Sequence, residues 1–174
     1  MSSASELRVD QFDAKRHDRA SFTCGVDSLD GYLKLQASQD VRRKANAVFV
    51  LVSNDAPRVV LGYFTLCSYG LAPGTIPDEA RRRLPRYPLV SATLIGRLAV
   101  ARSRQGEGLG AVLLARALRK AYENAGVVGS SMVMVDALDD KAAHFYAAHG
   151  FVRLPESMRL IIPMQTLAEL FSMR

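Results

Sequence analysis

The chain has no tryptophan, two cysteines, and no apolar run approaching the roughly 18 residues that a membrane span needs. Cys24 and Cys67 stand apart, with no Cys-x-x-Cys pair and no Cys/His cluster. That pattern excludes a disulfide framework and a zinc site of the usual spacing, and both thiols are expected buried or half-buried in a reducing compartment. Met1–Asp10 carries Glu6, Arg8 and Asp10 instead of an apolar core, so a secretory signal is not expected and the protein is expected to be cytoplasmic, off the membrane. His144 and His149 are five apart, on different faces of a helix, and no metal is expected. No Gly-Lys-Ser/Thr follows a glycine turn, which excludes a Walker A loop.

What the chain does have is positive charge. Lys and Arg total 23 against 17 Asp and Glu, giving +6 and a pI near 9.6. Most of the basic residues are arginine, which suits bidentate phosphate contact. This fits RNA, and equally a cofactor with several phosphates. At 174 residues folding buries roughly 70% of the extended chain's surface, enough for one domain over 1–174 with Met1–Ser5 frayed.

Val26, Leu29, Tyr32, Leu33 and Ala37 follow helical spacing, with Asp27 or Ser28 as the cap. Ala47–Val52 and Val59–Leu66, split by the turn residues Asn54–Pro57, predict an antiparallel hairpin. A proline-rich stretch, Leu71–Pro88, holds Arg81, Arg82, Arg83 and Arg86, and a short helix is expected from Pro77. Thr93–Val100 is a strand, Ala101–Gly110 a polar glycine turn, and Leu109–Ala121 an amphipathic helix ending near Gly126. Ser131–Val135 is the next strand. Asp139 caps a helix through His149, which Gly150 stops, and Phe151–Leu154 and Arg159–Met164 close the chain as strands. Strand, helix and strand around the glycine turn imply a parallel pair inside a mixed α/β sheet.

Glycines at 106, 108 and 110 let successive backbone N–H groups approach phosphate oxygens at a helix N-terminus. Gly106, Gly108 and Ala111 also satisfy a dinucleotide pattern, with Asp136 as its ribose acid. The polar insert Ala101–Arg104 and the short chain beyond Asp136 argue against that alternative. Arg97-Leu98-Ala99-Val100 followed by Gln105-x-x-Gly108-x-Gly110 resembles the acetyl-CoA motif of GCN5-related N-acetyltransferases (GNAT). So does the later Ala143-His144-Phe145-Tyr146-x-x-x-Gly150-Phe151.

The resemblance implies the GNAT fold, a single mixed, mostly antiparallel twisted sheet with helices on both faces. It implies acetyl-CoA as cosubstrate, bound by Leu98, Ala99, Val100, Gln105, Gly106, Glu107, Gly108, Leu109, Gly110, Ala111 and Phe145. Tyr146 matches the tyrosine that protonates the departing thiolate, and a phenol of ordinary pKa near 10 is a suitable donor. No carboxylate stands out as general base, and an α-amino group titrating near pH 8 needs none.

Phe22-x-Cys24-Gly25-x-x-x-Leu29-Asp30-x-Tyr32-Leu33, then Ala37-x-Gln39-Asp40, resembles the GNAT toxins of bacterial toxin–antitoxin modules. These acetylate the α-amino group of aminoacyl-tRNA and so block translation. The implied partners are aminoacyl-tRNA, a ribbon-helix-helix antitoxin and a second copy in a homodimer. Arg42, Arg43, Lys44, Arg81, Arg82, Arg83, Arg86 and Arg97 are the candidate tRNA contacts. Glu107 and Ala101 depart from the toxin pattern, the first placing an anion beside the cofactor phosphates. The alternatives are a GNAT enzyme acting on a small amine or protein N-terminus, and a non-catalytic acetyl-CoA-binding module.

Overall fold

A computed structural model describes residues 6–173, so the expectation for Met1–Ser5 lies outside the described residues. In chain order the elements are β1 (Leu7–Gln11), α1 (Asp27–Gly31), α2 (Ala37–Arg43), β2 (Ala47–Ser53), β3 (Gly62–Leu71), α3 (Asp78–Arg81), β4 (Val90–Val100), α4 (Leu109–Asn124), β5 (Met132–Asp136), α5 (Asp140–Ala148), β6 (Val152–Arg153), β7 (Arg159–Pro163) and α6 (Met164–Ser172). The seven-stranded sheet has the order β1-β2-β3-β4-β5-β7-β6. Antiparallel ladders join β1 to β2, β2 to β3, β5 to β7 and β6 to β7, whereas β4 and β5 are parallel. This is the expected mixed sheet, with the parallel pair flanking the glycine turn.

The chain divides into two compact units, Met1–Leu66 with Arg97–Ala117 and Cys67–Gly96 with Leu118–Arg174. In the first, alternate β2 residues Val48, Val50 and Val52 point into a core with Phe22, Tyr32, Leu33, Tyr63 and Ala99. Phe49, on the opposite face, stacks on its cross-strand partner Phe64 at 5.1 Å. Full burial of each such side chain stabilises by roughly 1.5–3 kcal/mol. Gly62 marks a close backbone approach, since an added Cβ would lie 2.8 Å from the Ala99 carbonyl oxygen.

Two expectations differ from the fold. The first helix is capped by neither Asp27 nor Ser28: both occupy helical positions, and the N-cap is Val26, whose carbonyl accepts the Leu29 and Asp30 N–H groups. Beyond Gly31 the helix passes through a π-helical turn, Tyr32–Gln36, and continues as α2 to Arg43. The hairpin's second strand starts at Gly62, because Val59 donates its N–H to Ala56 within the connection and stays half exposed.

The second unit has its own core of Leu71, Ile76, Ala80, Leu84, Val90, Ala92, Met132, Met134, Leu154 and Ile161. Met132–Val135 are fully buried, as expected of a strand paired on both sides, by β4 and by β7. Asp139 does cap α5, its Oδ1 accepting the Ala142 N–H at 2.8 Å. The closing strands are shorter than expected: β6 holds two residues, and Met164 belongs to the unexpected terminal helix α6, not to β7. In α6 Phe171 meets Tyr122 edge-on at 5.2 Å and lies under the Arg119 guanidinium.

Candidate active site

The glycine turn is built at the end of β4. The Ala101 N–H donates to the Leu61 carbonyl at 2.8 Å, one 3₁₀ turn over Arg102–Arg104 follows, and Gln105 is extended. Gly106 and Gly108 then take φ of +84° and +80°, conformations that L side chains disfavour. An added Cβ at either position would meet nothing within 4 Å, so these glycines are required by the backbone and not by crowding. Gly108 accepts the Val112 N–H, which closes the first turn of α4. The N–H groups of Leu109, Gly110 and Ala111 precede that bond and have no intrahelical acceptor. Consecutive donors at a helix N-terminus, next to open space, could hold an anion.

Glu107 does not confront that site as a free anion. Its carboxylate accepts from Arg104 Nε at 2.9 Å in an exposed i,i+3 ion pair, so the anion beside the turn has a cationic partner. Ala101, the other departure, is buried and bonded through its backbone. The Gln105 side chain points inward to protein: Nε2 donates to the Cys24 carbonyl at 2.8 Å and the Val100 carbonyl at 3.1 Å. It clips the turn to the loop Thr23–Gly25.

That loop explains why the N-terminal motif carries those residues. The Thr23 carbonyl accepts the Arg102 N–H at 2.7 Å, and Gly25 at φ +90° lies close to the Arg102 guanidinium. The loop is held in turn by Asp30, whose carboxylate accepts from the Cys24 N–H at 2.8 Å and the Thr23 hydroxyl at 2.9 Å. Burial pushes the Asp30 pKa up, but these bonds outweigh it and hold it below the ordinary value. Cys24 is buried and Cys67 partly so, as expected, and burial pushes the Cys24 thiol up to about 11.

Leu98–Val100 are the last residues of β4. The parallel ladder to β5 covers Ala92–Ile95 and β5 ends at Asp136, so it does not reach these three residues. Arg97 lies just before them, its guanidinium 3.6 Å from the centroid of the Tyr32 ring. The Tyr32 hydroxyl donates to Asp40 at 2.8 Å, and Gln36 and Asn46 donate to the same carboxylate. The toxin resemblance singled out Tyr32 and Asp40 without indicating that Tyr32 carries Arg97 and is itself held by Asp40.

Tyr146 lies on α5 in the second unit, 8% exposed, edge-on to Phe145 at 5.3 Å and Phe151 at 5.5 Å. Among the described residues its hydroxyl has no hydrogen-bond partner. Burial alone pushes its pKa up to about 12, so the phenol stays protonated at neutral pH. Asp136, the ribose acid of the dinucleotide alternative, is instead gripped by Arg159, Nε to Oδ1 at 2.8 Å and Nη2 to Oδ2 at 3.2 Å.

The candidate tRNA contacts fall into separate places. Arg42, Arg43 and Lys44 are exposed at the end of α2, Lys44 with φ of 62°. Arg81, Arg82 and Arg86 line one cavity, while Arg83 leaves it to pair with Glu169 at 2.9 Å. Among the described residues no group of three or more His, Cys, Asp or Glu could hold a metal ion, and no helix is long and apolar enough to cross a membrane.

The chain is similar to known proteins in both sequence and fold. A tRNA-acetylating toxin of Mycobacterium tuberculosis is 33% identical over 149 residues, covering 85% of this chain and 87% of that protein. The structure of AtaT complexed with acetyl-methionyl-tRNAfMet matches with a TM-score of 0.86 at 30% identity, over 95% of this chain and 99% of that one. A tyrosine-to-phenylalanine mutant of AtaT, bound to the C-terminus of the antitoxin AtaR and acetyl-CoA, matches with a TM-score of 0.80 at 28% identity, over 95% and 98%. Residues 45–153, which include β4, the glycine turn and α5, match the acetyltransferase (GNAT) domain model, and the chain belongs to that acetyltransferase family.

Proposed function

We propose that this protein is a toxin that transfers the acetyl group of acetyl-CoA to the α-amino group of aminoacyl-tRNA and so blocks translation. The observation that carries the proposal is the turn Gln105–Ala111: two positive-φ glycines, open space and unbonded helix-start N–H groups, in a chain 33% identical to a tRNA-acetylating toxin. The whole chain acts as one acetyltransferase domain.

The site residues fit acetyl-CoA. Amides of Gly106–Ala111 would take its diphosphate, with Glu107 already paired with Arg104. The β4 backbone at Leu98–Val100 would bond the pantetheine as an added strand, and Phe145 would pack against it. Acetyl-CoA supplies an activated thioester carbonyl. The neutral amine would attack the carbonyl carbon and the carbon–sulfur bond would break; Tyr146 would give its hydroxyl proton to the sulfur and regain one from solvent, while the amine loses one to solvent. Burial keeps the Tyr146 phenol protonated at neutral pH, as a proton donor must be, although it also makes the phenol a weaker acid, so donation would follow charge build-up on the sulfur. An α-amine, titrating near pH 8, is sufficiently neutral to react without a dedicated base.

Arg97, held over the Tyr32 ring, would meet a substrate phosphate beside β4. Arg42, Arg43, Lys44, Arg81, Arg82, Arg83 and Arg86 would contact the remainder of the tRNA. The protein works in the cytoplasm as a homodimer, neutralised by a small ribbon-helix-helix antitoxin; the AtaT structure bound to the C-terminus of AtaR supports the antitoxin. The test is transfer of labelled acetyl from acetyl-CoA to charged tRNA, with deacylated tRNA as control. Label on charged tRNA alone is expected. Label on small amines or protein N-termini instead, or acetyl-CoA binding without any transfer, would overturn the proposal.

A further inference from the structure

We propose that the cavity beside α3 binds an unpaired nucleotide of the RNA substrate, its base stacked on Tyr87 and its phosphates held by Arg81, Arg82 and Arg86. The proposal rests on the aminoacyl-tRNA reading for the identity of that RNA. The cavity measures about 670 Å³, and Asp78 and Leu84 are among its other lining residues. That volume lies within the roughly 300–1,000 Å³ of small-ligand clefts.

The segment that presents these groups is anchored. Ile76, Ala80 and Leu84 are buried in the core of their unit, and successive N–H groups from Arg81 to Leu84 all bond carbonyls three or four residues back. Arg83 ties the turn to α6 through Glu169 and Thr166. Its neighbours face the cavity. Arg81 pairs with Asp78, whereas Arg82 and Arg86 have no ion-pair partner among the described residues. The lining therefore carries a net excess of two positive charges, counted as three guanidinium groups against the Asp78 carboxylate.

Tyr87 adds what charge alone lacks. Its side chain is 65% exposed, unusual for a large ring, and it sits among Pro85, Arg86 and Pro88. Proline at 88 disfavours a helical conformation at Tyr87. A duplex would use the guanidinium groups but not the ring, because its base faces are already stacked. An acidic peptide would leave the ring idle too. An aromatic platform beside unpaired cations is the arrangement that holds single-stranded nucleic acid.

The experiment measures binding of charged tRNA and of a short single-stranded RNA oligonucleotide to the full chain, alongside acetyl transfer. Tyr87→Ala is expected to weaken both complexes by roughly tenfold, and Tyr87→Phe to restore them. Arg82→Gln and Arg86→Gln are expected each to lower the slope of log affinity against log salt by about one. The loss falls on the KM for charged tRNA and not on that for acetyl-CoA. Oligonucleotide binding that depends on Tyr87, without transfer to tRNA, would support this inference while overturning the proposed function. Transfer to charged tRNA with Tyr87→Ala binding like the parent would overturn the inference and leave that function standing. Antitoxin binding lost in Tyr87→Ala, with RNA binding intact, would overturn it in favour of a protein partner.

Discussion

Removing the Asp30 carboxylate should loosen the acetyl-CoA turn from a distance. Asp30 is 9% exposed and accepts two hydrogen bonds, from the Cys24 N–H and the Thr23 hydroxyl. Bonds to a charged group contribute about 1.5–3 kcal/mol each, and Asp30→Ala strands the Cys24 amide as well. The two bonds share one loop and will not add fully, so the loss should be about 2–4 kcal/mol. In a domain of this size that lowers the melting temperature by roughly 5–15 °C. Asp30→Asn keeps an acceptor oxygen and should lose about half as much. The same loop supplies the carbonyls that Gln105 and Arg102 bond, so slack reaches the glycine turn. The acetyl-CoA dissociation constant should rise by roughly three- to tenfold, measured by titration calorimetry beside a thermal melt. Asp30→Ala melting within about 2 °C of the parent, with unchanged acetyl-CoA affinity, would refute the reasoning.

Three further outcomes follow from the same geometry. Tyr146→Phe keeps the ring between Phe145 and Phe151, so its melting temperature should hold while kcat falls by roughly 10²-fold or more; full activity would show that another group donates the proton. Gly106→Ala and Gly108→Ala meet no atoms but force a side chain into positive φ, costing about 1–2 kcal/mol each, visible as a lower melting temperature and weaker acetyl-CoA binding. Asp10, Asp30 and Asp40 all titrate below their ordinary value of 3.8: Asp10 chiefly through its hydrogen bond from Arg8, Asp40 through those from Gln36, Tyr32 and Asn46, and Asp30 because its bonds outweigh burial. A folded-state pKa below the unfolded one contributes stability above that value, lost as pH falls through the folded one, so melting temperature should drop below about pH 4; constancy down to pH 3 would contradict this.

The parts of the fold legible in the sequence are those with strong periodicity or punctuation. The β2–β3 hairpin, the parallel strands around the glycine turn, α4 and the Asp139 cap all have such signals. β1 carries only a short alternation, Leu7 and Val9 against Arg8 and Asp10, with no turn residues to bound it, and it lies half-buried with Arg8 and Asp10 paired. Missing β1 also hid His17, which is buried and bonded to Asp10 and to the Asp13 N–H. α6 was hidden because the apolar run Leu160–Met164 continues smoothly across Pro163, where strand becomes helix. At the candidate site the motif residues were visible but not their tasks. Gln105 bonds Cys24 across 81 positions, and Arg97 lies on Tyr32 across 65, counted as 97 − 32. Contacts of that separation leave no trace in local spacing. Tyr87 carries no local signal of its own, and its exposure in the fold is what singles it out.

The central claim is that the acetyl group ends on the α-amine of the amino acid esterified to tRNA. Its most direct test is to incubate the protein with acetyl-CoA and charged tRNA, release the ester in mild base, and identify the amino acid by mass spectrometry. N-acetyl-amino acid, formed more slowly by roughly 10²-fold or more with Tyr146→Phe, is the predicted product. Unmodified amino acid from an incubation that consumes acetyl-CoA would contradict the claim.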